Sequence, residues 1–171
     1  MVLIRRKPAQ PDALGAEAFE LAADRFAHAV LDGPLPDGPV VVPLARLVRD
    51  AETLKGRELG VRVPSDTRHD ALLPFLGAVT RVEIEVPKFV DGRVYSLARR
   101  LRDQAGYQGE LLAVGDVLRD QVLYYVRCGF DGLEIAAQKD AVDALKALDE
   151  LPVFYQAAYL PRLPLSRRVS R

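Results

Sequence analysis

Three short stretches hold residue types that can do chemistry. Lys88, Asp91, Gly92, Arg93 and Ser96 fall in one, Gly115, Asp116 and Arg119 in the next, and Gln138 and Lys139 in a third. Guanidinium forks and an ammonium beside a hydroxyl suit an oxyanion such as sulfate, sulfite or phosphate, because charge-assisted bonds to such groups are strong and often bidentate. Gly92 and Gly115 allow the backbone itself to come close. Lys88, Arg93, Ser96 and Arg119 therefore read as an anion-binding set. Asp91 and Asp116 read as helix caps that pair with these arginines, or as acid and base groups. Glu83, Glu85 and Glu134 are further carboxylates. If they face a cavity they can hold a divalent metal or move protons, and a solvated face with arginine partners explains them as well.

Other chemistry has little support. His28 and His69 have no partner at ligand spacing, so no zinc or haem site is expected. The single cysteine, Cys128, rules out an iron–sulfur set and an internal disulfide and points to a reducing compartment. Cys128 lies at the end of a helical pattern beside Val126 and Phe130, which suits a small core residue rather than a nucleophile. No dinucleotide fingerprint follows a first strand. No cofactor is legible, and no residue is assigned a catalytic role.

The elements that must position these groups follow from apolar periodicity. Val82, Ile84 and Val86 alternate as one face of a strand within 79–86, and Asp91-Gly92 makes the turn after it. Val94, Leu97, Ala98, Leu101 and Ala105 line one side of a helix, with Arg99, Arg100, Arg102 and Asp103 opposite and Gly106 ending it. A short apolar strand spans 109–115. Asp116 then caps a helix carrying Val117, Leu118, Val122, Tyr125 and Val126, Gly129 ends that helix, and Leu133 resumes a strand. Each such strand–helix–strand unit implies parallel strands and a right-handed crossover, which leaves ligands at the carboxyl ends of the strands.

Earlier in the chain, 40–42 and 59–63 read as strands and 44–54 as a helix. Ser65 and Asp66 suit caps for a helix through Leu72. Strand centres near Val41, Val61, Glu83, Leu112, Glu134 and Phe154 recur at a period that suits repeated β/α units. The fold class is thus α/β, with a mostly parallel sheet of five to six strands, doubly wound or closed into a partial barrel. Arg81, Glu83 and Glu85 alternate with the apolar face of their strand. One face is therefore wet, at an edge, lining an incomplete barrel or against a partner.

One domain is expected over the 171 residues. Residues 1–38 form an arm and a helical appendage in which Phe19, Ala22, Phe26, Ala29 and Val30 share a helix face. Residues 39–150 form the β/α core, ending in a helix over 140–148. Residues 151–171 form a basic, proline-containing tail, anchored by Tyr155 and Tyr159, that packs on a partner or a second copy.

PKFVDGRVYSLARRLRDQAGYQGELLAVGDVLRDQVLYYVRCGFDGLEI, residues 87–135, resembles an uncharacterised bacterial domain-of-unknown-function family. The likeness is looser over 39–63 and 154–164. Genes of that family often neighbour those of the sulfite reductase haemoprotein and phosphoadenylyl-sulfate reductase, and its members are labelled oxidoreductases of sulfite reduction. The resemblance implies a pathway and no mechanism. It implies an accessory protein of sulfate assimilation that binds an oxyanion or one of those reductases, or else a small enzyme acting on a sulfur-containing or phosphorylated metabolite. Val94 and Leu133 depart from its pattern, where a small and an aromatic residue are expected, and leave the charged positions intact.

Bulk properties agree with a soluble binding protein or enzyme. Lys and Arg together number 24, as do Asp and Glu, so no net field draws the chain to nucleic acid or membrane. No apolar run reaches transmembrane length and the first residues lack a signal-peptide core, so a cytoplasmic location is expected.

Overall fold

The computed structural model describes residues 2–10, 15–135 and 138–150. The strand expected at Phe154 and the basic tail over 151–171 lie outside these residues. Among the described residues the chain runs β1 (Val2–Arg6), β2 (Phe19–Ala22), β3 (Ala27–His28), β4 (Val40–Pro43), α1 (Leu44–Arg49), β5 (Leu59–Pro64), β6 (Arg81–Val86), α2 (Arg93–Asp103), β7 (Glu110–Gly115), α3 (Val122–Arg127), β8 (Gly132–Ile135) and α4 (Gln138–Ala147).

All eight strands join one sheet in the order β2-β1-β8-β7-β6-β5-β4-β3. Strands β3 to β8 are parallel neighbours in sequence order, and β1 pairs antiparallel with both β8 and β2. The order never reverses, so the sheet is singly wound and the doubly wound alternative falls. Right-handed crossovers then put the helices on one face. Against that face Val61, Val63, Val82, Ile84, Leu111, Ala113 and Leu133 pack with Leu47, Leu97, Leu101, Tyr125 and Ala144 as the main core.

The sheet is curled into an incomplete barrel. On a flat sheet its outermost strands, β2 and β3, would lie about 33 Å apart at the usual strand spacing. Only residues 23–26 connect them, and that much chain reaches about 17 Å at most. Side chains report the same curl: His28 on β3 meets Glu83 on β6, and Arg5 on β1 meets Glu110 on β7, at 3.1 and 2.5 Å. The concave face is the lumen, and its rows follow from register. Arg81 lies between Gly60 and Glu110, and Glu83 between Arg62 and Leu112. Leu3 stands opposite Glu134. The missing side chain at Gly60 matters, because a Cβ there would lie 2.8 Å from a Val41 methyl and 3.4 Å from the Arg81 Cβ.

Four expectations are corrected. The sheet has eight strands, not five or six, because residues 2–28 supply three of them. The helical appendage expected from the spacing of Phe19, Ala22, Phe26, Ala29 and Val30 is, among the described residues, a 3-10 turn at Ala16–Ala18 followed by β2 and β3. Tertiary pairing overrides the helical period: the inserted β1 offers an open edge, and Phe19 to Ala22 satisfy it in register with Arg6 to Leu3. The helix expected from Ser65 to Leu72 is reduced to a 3-10 turn at His69–Ala71. In α2, Arg102 is buried and not on the solvent side. It donates to the carbonyls of Gly129, Tyr107 and Gly109 at 2.9, 2.7 and 2.9 Å and pairs with Asp131, which fastens α2 to the loops before β7 and β8.

Candidate functional site

A cavity of about 300 Å³ opens in the lumen between Val2, Leu3, Phe26, Leu112 and Val114 on its apolar side and Asp24, His28, Glu83 and Glu134 on its polar side. Alternation along β6 builds the polar wall. Val82, Ile84 and Val86 turn to the helices, so Arg81 and Glu83 must turn inward, and Glu85 follows them on that face at the exposed carboxyl end of the strand. The wet face expected of this strand is thus the lining of an incomplete barrel.

Arg81 is fully buried. Its Nη1 donates to Asp24 at 2.6 Å, its Nε to Glu110 at 2.7 Å, and its guanidinium lies 4.0 Å from the centre of the Phe26 ring. Glu110 also pairs with Arg5. This layer seals the amino-terminal end of the lumen, since Asp24 and Phe26 come from the short connection before β3. Above it, Glu83 is only 1% exposed. One oxygen accepts from Arg62 Nε at 2.8 Å, and both lie 3.1–3.2 Å from His28 Nε2. Burial alone would raise the Glu83 carboxyl, but the His28 contact and the Arg62 charge overcome it, so Glu83 titrates below an ordinary glutamate. Asp24 behaves alike: burial raises it, and Arg81 with the Phe26 N–H lowers it further. Both carboxylates are held ionised, Glu83 in a dry wall and Asp24 with part of its side chain exposed. Such an arrangement can bind a cation, orient a polar metabolite, or exchange protons through the imidazole.

The residues singled out from sequence lie elsewhere, apart from Glu83 and Glu134. Arg93 and Ser96 do come together, in a depression at the carboxyl edge that also takes in Ser65, Arg68 and Arg100. Arg93 is bound by Asp91 at 2.7 Å, and that contact, with the Ser65 hydroxyl at 2.7 Å, holds Asp91 well below the usual carboxylate range. Arg119 lines a different depression, where it pairs with Asp143 at 2.6 Å and with Glu150. Lys88 is exposed beside neither. Asp116 does not cap α3, whose first turn begins later at Val122. It accepts from the Phe89 N–H at 2.9 Å and so ties the β6 and β7 loops together. The loops are therefore adjacent, as parallel neighbours imply, but Arg119 turns outward to α4. The side chains of Gln138 and Lys139 lie outside the described part. Cys128 is buried in the main core at the end of α3, and burial raises its thiol.

Sequence reading missed Asp24, His28, Arg62, Arg81 and Glu110. A signal existed for Arg62 and Arg81, each an arginine inside an apolar strand pattern. None existed for His28, whose partner Glu83 is 55 residues away.

Comparison with known families brings one result. A family described as bacterial protein of unknown function, DUF934, matches residues 60–166, and the chain belongs to this family. No curated protein matches it. The matched span takes in Arg62, Arg81, Glu83, Glu110 and Glu134, while Asp24 and His28 lie before it.

Proposed function

We propose that this DUF934 protein is a small enzyme that works in the lumen of its incomplete barrel on a small sulfur-containing or phosphorylated metabolite, in the sulfite-reduction pathway that its sequence resemblance implies. The observation that supports this is Glu83, buried and ionised on a cavity wall where the fold calls for an apolar side chain. Barrels close with layers of branched aliphatic residues, and buried ion networks exchanged for apolar groups are often no less stable. An apolar layer would serve the fold as well, so Arg62, Arg81, Glu83, Glu110, Asp24 and His28 are residues that a site, and not the fold, calls for. The cavity lies at the small end of the range for metabolite sites, with a few convergent polar groups in an otherwise apolar wall.

Cells that depend on this protein for growth on sulfate would test the reading. A chain carrying Glu83→Gln should fold and fail to support growth, and the purified variant should lose the rise in melting temperature given by a binding metabolite from a sulfur and phosphate panel. Normal growth on a folded Glu83→Gln chain would reject it.

A second reading rests on the carboxyl edge. Arg93, Ser96, Arg68 and Arg100 share a depression with Asp66, where an oxyanion would compete with Asp91 for Arg93 and with Asp70 for Arg68, and beside it Phe89 and Val90 are 46% and 69% exposed. That combination suits an accessory protein docking on sulfite reductase or phosphoadenylyl-sulfate reductase. If this is the role, Val90→Asp should abolish co-purification with the reductase while Glu83→Gln leaves it intact.

A further inference from the structure

We propose that Asp24, His28 and Glu83 form a divalent-metal site in the lumen. The inference rests on the lumen being the site of reaction and names what works there. Their ligand atoms lie within 4.8 Å of one another. One imidazole and two carboxylates suit zinc, manganese or ferrous iron rather than calcium or copper(I). Bonds of about 2.0–2.2 Å place two ligands of one ion about 3.0–3.5 Å apart. His28 Nε2 stands 3.1 and 3.2 Å from the Glu83 oxygens.

A second observation points the same way. His28 Nε2 faces both Glu83 oxygens and also Arg62 Nη2 at 3.0 Å. A ring nitrogen carries either a proton or a lone pair. With the proton it bonds Glu83 and opposes the guanidinium N–H. With the lone pair it accepts from Arg62 and opposes two carboxylate oxygens. Hydrogen bonding alone leaves one contact unfavourable in either state, whereas a cation between Nε2 and Glu83 satisfies both. Arg62 can yield its place, because it is about one-third exposed and its Nη2 already lies 4.0 Å from Glu134. Asp24 is oriented as a ligand would be. Its Oδ1 accepts from Arg81 and from the Phe26 N–H, and its Oδ2 has no bond among the described residues. His28 and Asp24 are also exposed enough to admit an ion.

Three protein ligands leave a coordination position open, as catalytic metal sites do. The ion also changes what the lumen attracts. Arg5, Arg62 and Arg81 face Asp24, Glu83, Glu110 and Glu134, one negative charge in excess with His28 neutral. A divalent ion reverses that to one positive, which favours an anionic substrate such as a sulfur or phosphorus oxyanion at the open position.

The test is titration of the full-length, chelator-treated protein with Zn²⁺, Mn²⁺ and Co²⁺, read by calorimetry, melting temperature and the visible spectrum of the cobalt form. One equivalent should bind and raise the melting temperature, and cobalt should give bands of a nitrogen–oxygen site. His28→Ala, at an exposed edge position where folding is little at risk, and Glu83→Gln should each weaken binding at least about tenfold, since even outer-shell losses do so. His69→Ala, whose ring meets Asp70 and not the lumen, should bind as the native chain does. No stoichiometric binding, or unchanged binding in His28→Ala, overturns the inference. A lumen metabolite that still binds the metal-free protein would in that case leave the proposed site of reaction standing.

Discussion

The carboxylate of Glu83 and the ring of His28 meet at 3.1 Å although their strands, β6 and β3, are separated by two others. Only the curl of the sheet makes the contact possible, so the pair reports on barrel geometry and on the site at once.

Removing one member of this network should destabilise strongly. Glu83→Ala leaves Arg62 and Arg81 short of a counter-charge and is expected to cost about 3–5 kcal/mol in urea unfolding. The double variant Arg62→Met, Glu83→Leu should recover most of that, because it deletes buried charges in pairs. A loss below about 1 kcal/mol in the single variant would mean that water, not Arg62, compensates Glu83.

Tyr107 predicts an alkaline limit. It is buried, donates to the Val79 carbonyl at 3.3 Å, and burial holds its phenol above the ordinary range. Its proton is bound more tightly in the folded chain, so the associated stability is present at neutral pH and is lost as pH climbs beyond about 10. Tyr107→Phe should lower stability at pH 7 by about 1 kcal/mol through the lost bond and should flatten the decline above pH 10. Equal steepness in both proteins would assign the alkaline transition to another group, of which Tyr125, also raised by burial, is the first to examine.

Cys128 should prove dispensable. It packs in the main core with its thiol raised by burial. Alkylation of the native protein is expected to be slow and to become fast only in denaturant. Cys128→Ala should cost about 1–2 kcal/mol and leave growth on sulfate unchanged. Rapid labelling of the folded chain would contradict this.

Much of the fold was readable because local pattern and tertiary structure agree over most of the span from Val40 to Leu148, the helix expected from Ser65 to Leu72 excepted. Glycines ended helices where expected, with Gly106 and Gly129 at φ of 64° and 103°, and the alternation of Arg81, Glu83 and Glu85 exposed the wet face. The site was readable only there and at Glu134 on β8. Phe19 to Val30 carry a helical period yet form strands, because an open edge on β1 competes successfully with local preference. Asp24 and His28 reach the lumen only through the crossing from β2 to β3, a long-range consequence that no window of sequence contains. At the carboxyl edge the loops were placed beside each other correctly, but the rotation that carries Arg119 to Asp143 depends on where α4 docks.

The position of β1 between β2 and β8 bears on biosynthesis. Although β1 can pair with β2 early, its other partner is made much later: Leu3 finds Glu134, and Ile4 finds Leu133, only after nearly all of the described chain has emerged. Until then the nascent protein has a half-built wall with one unpaired side, a target for holding chaperones. The same delay leaves the chamber open until β8 is in place. A chain cut short before Gly132 retains Glu83 and His28 but lacks β8, the stave that joins β1 and β2 to the parallel strands.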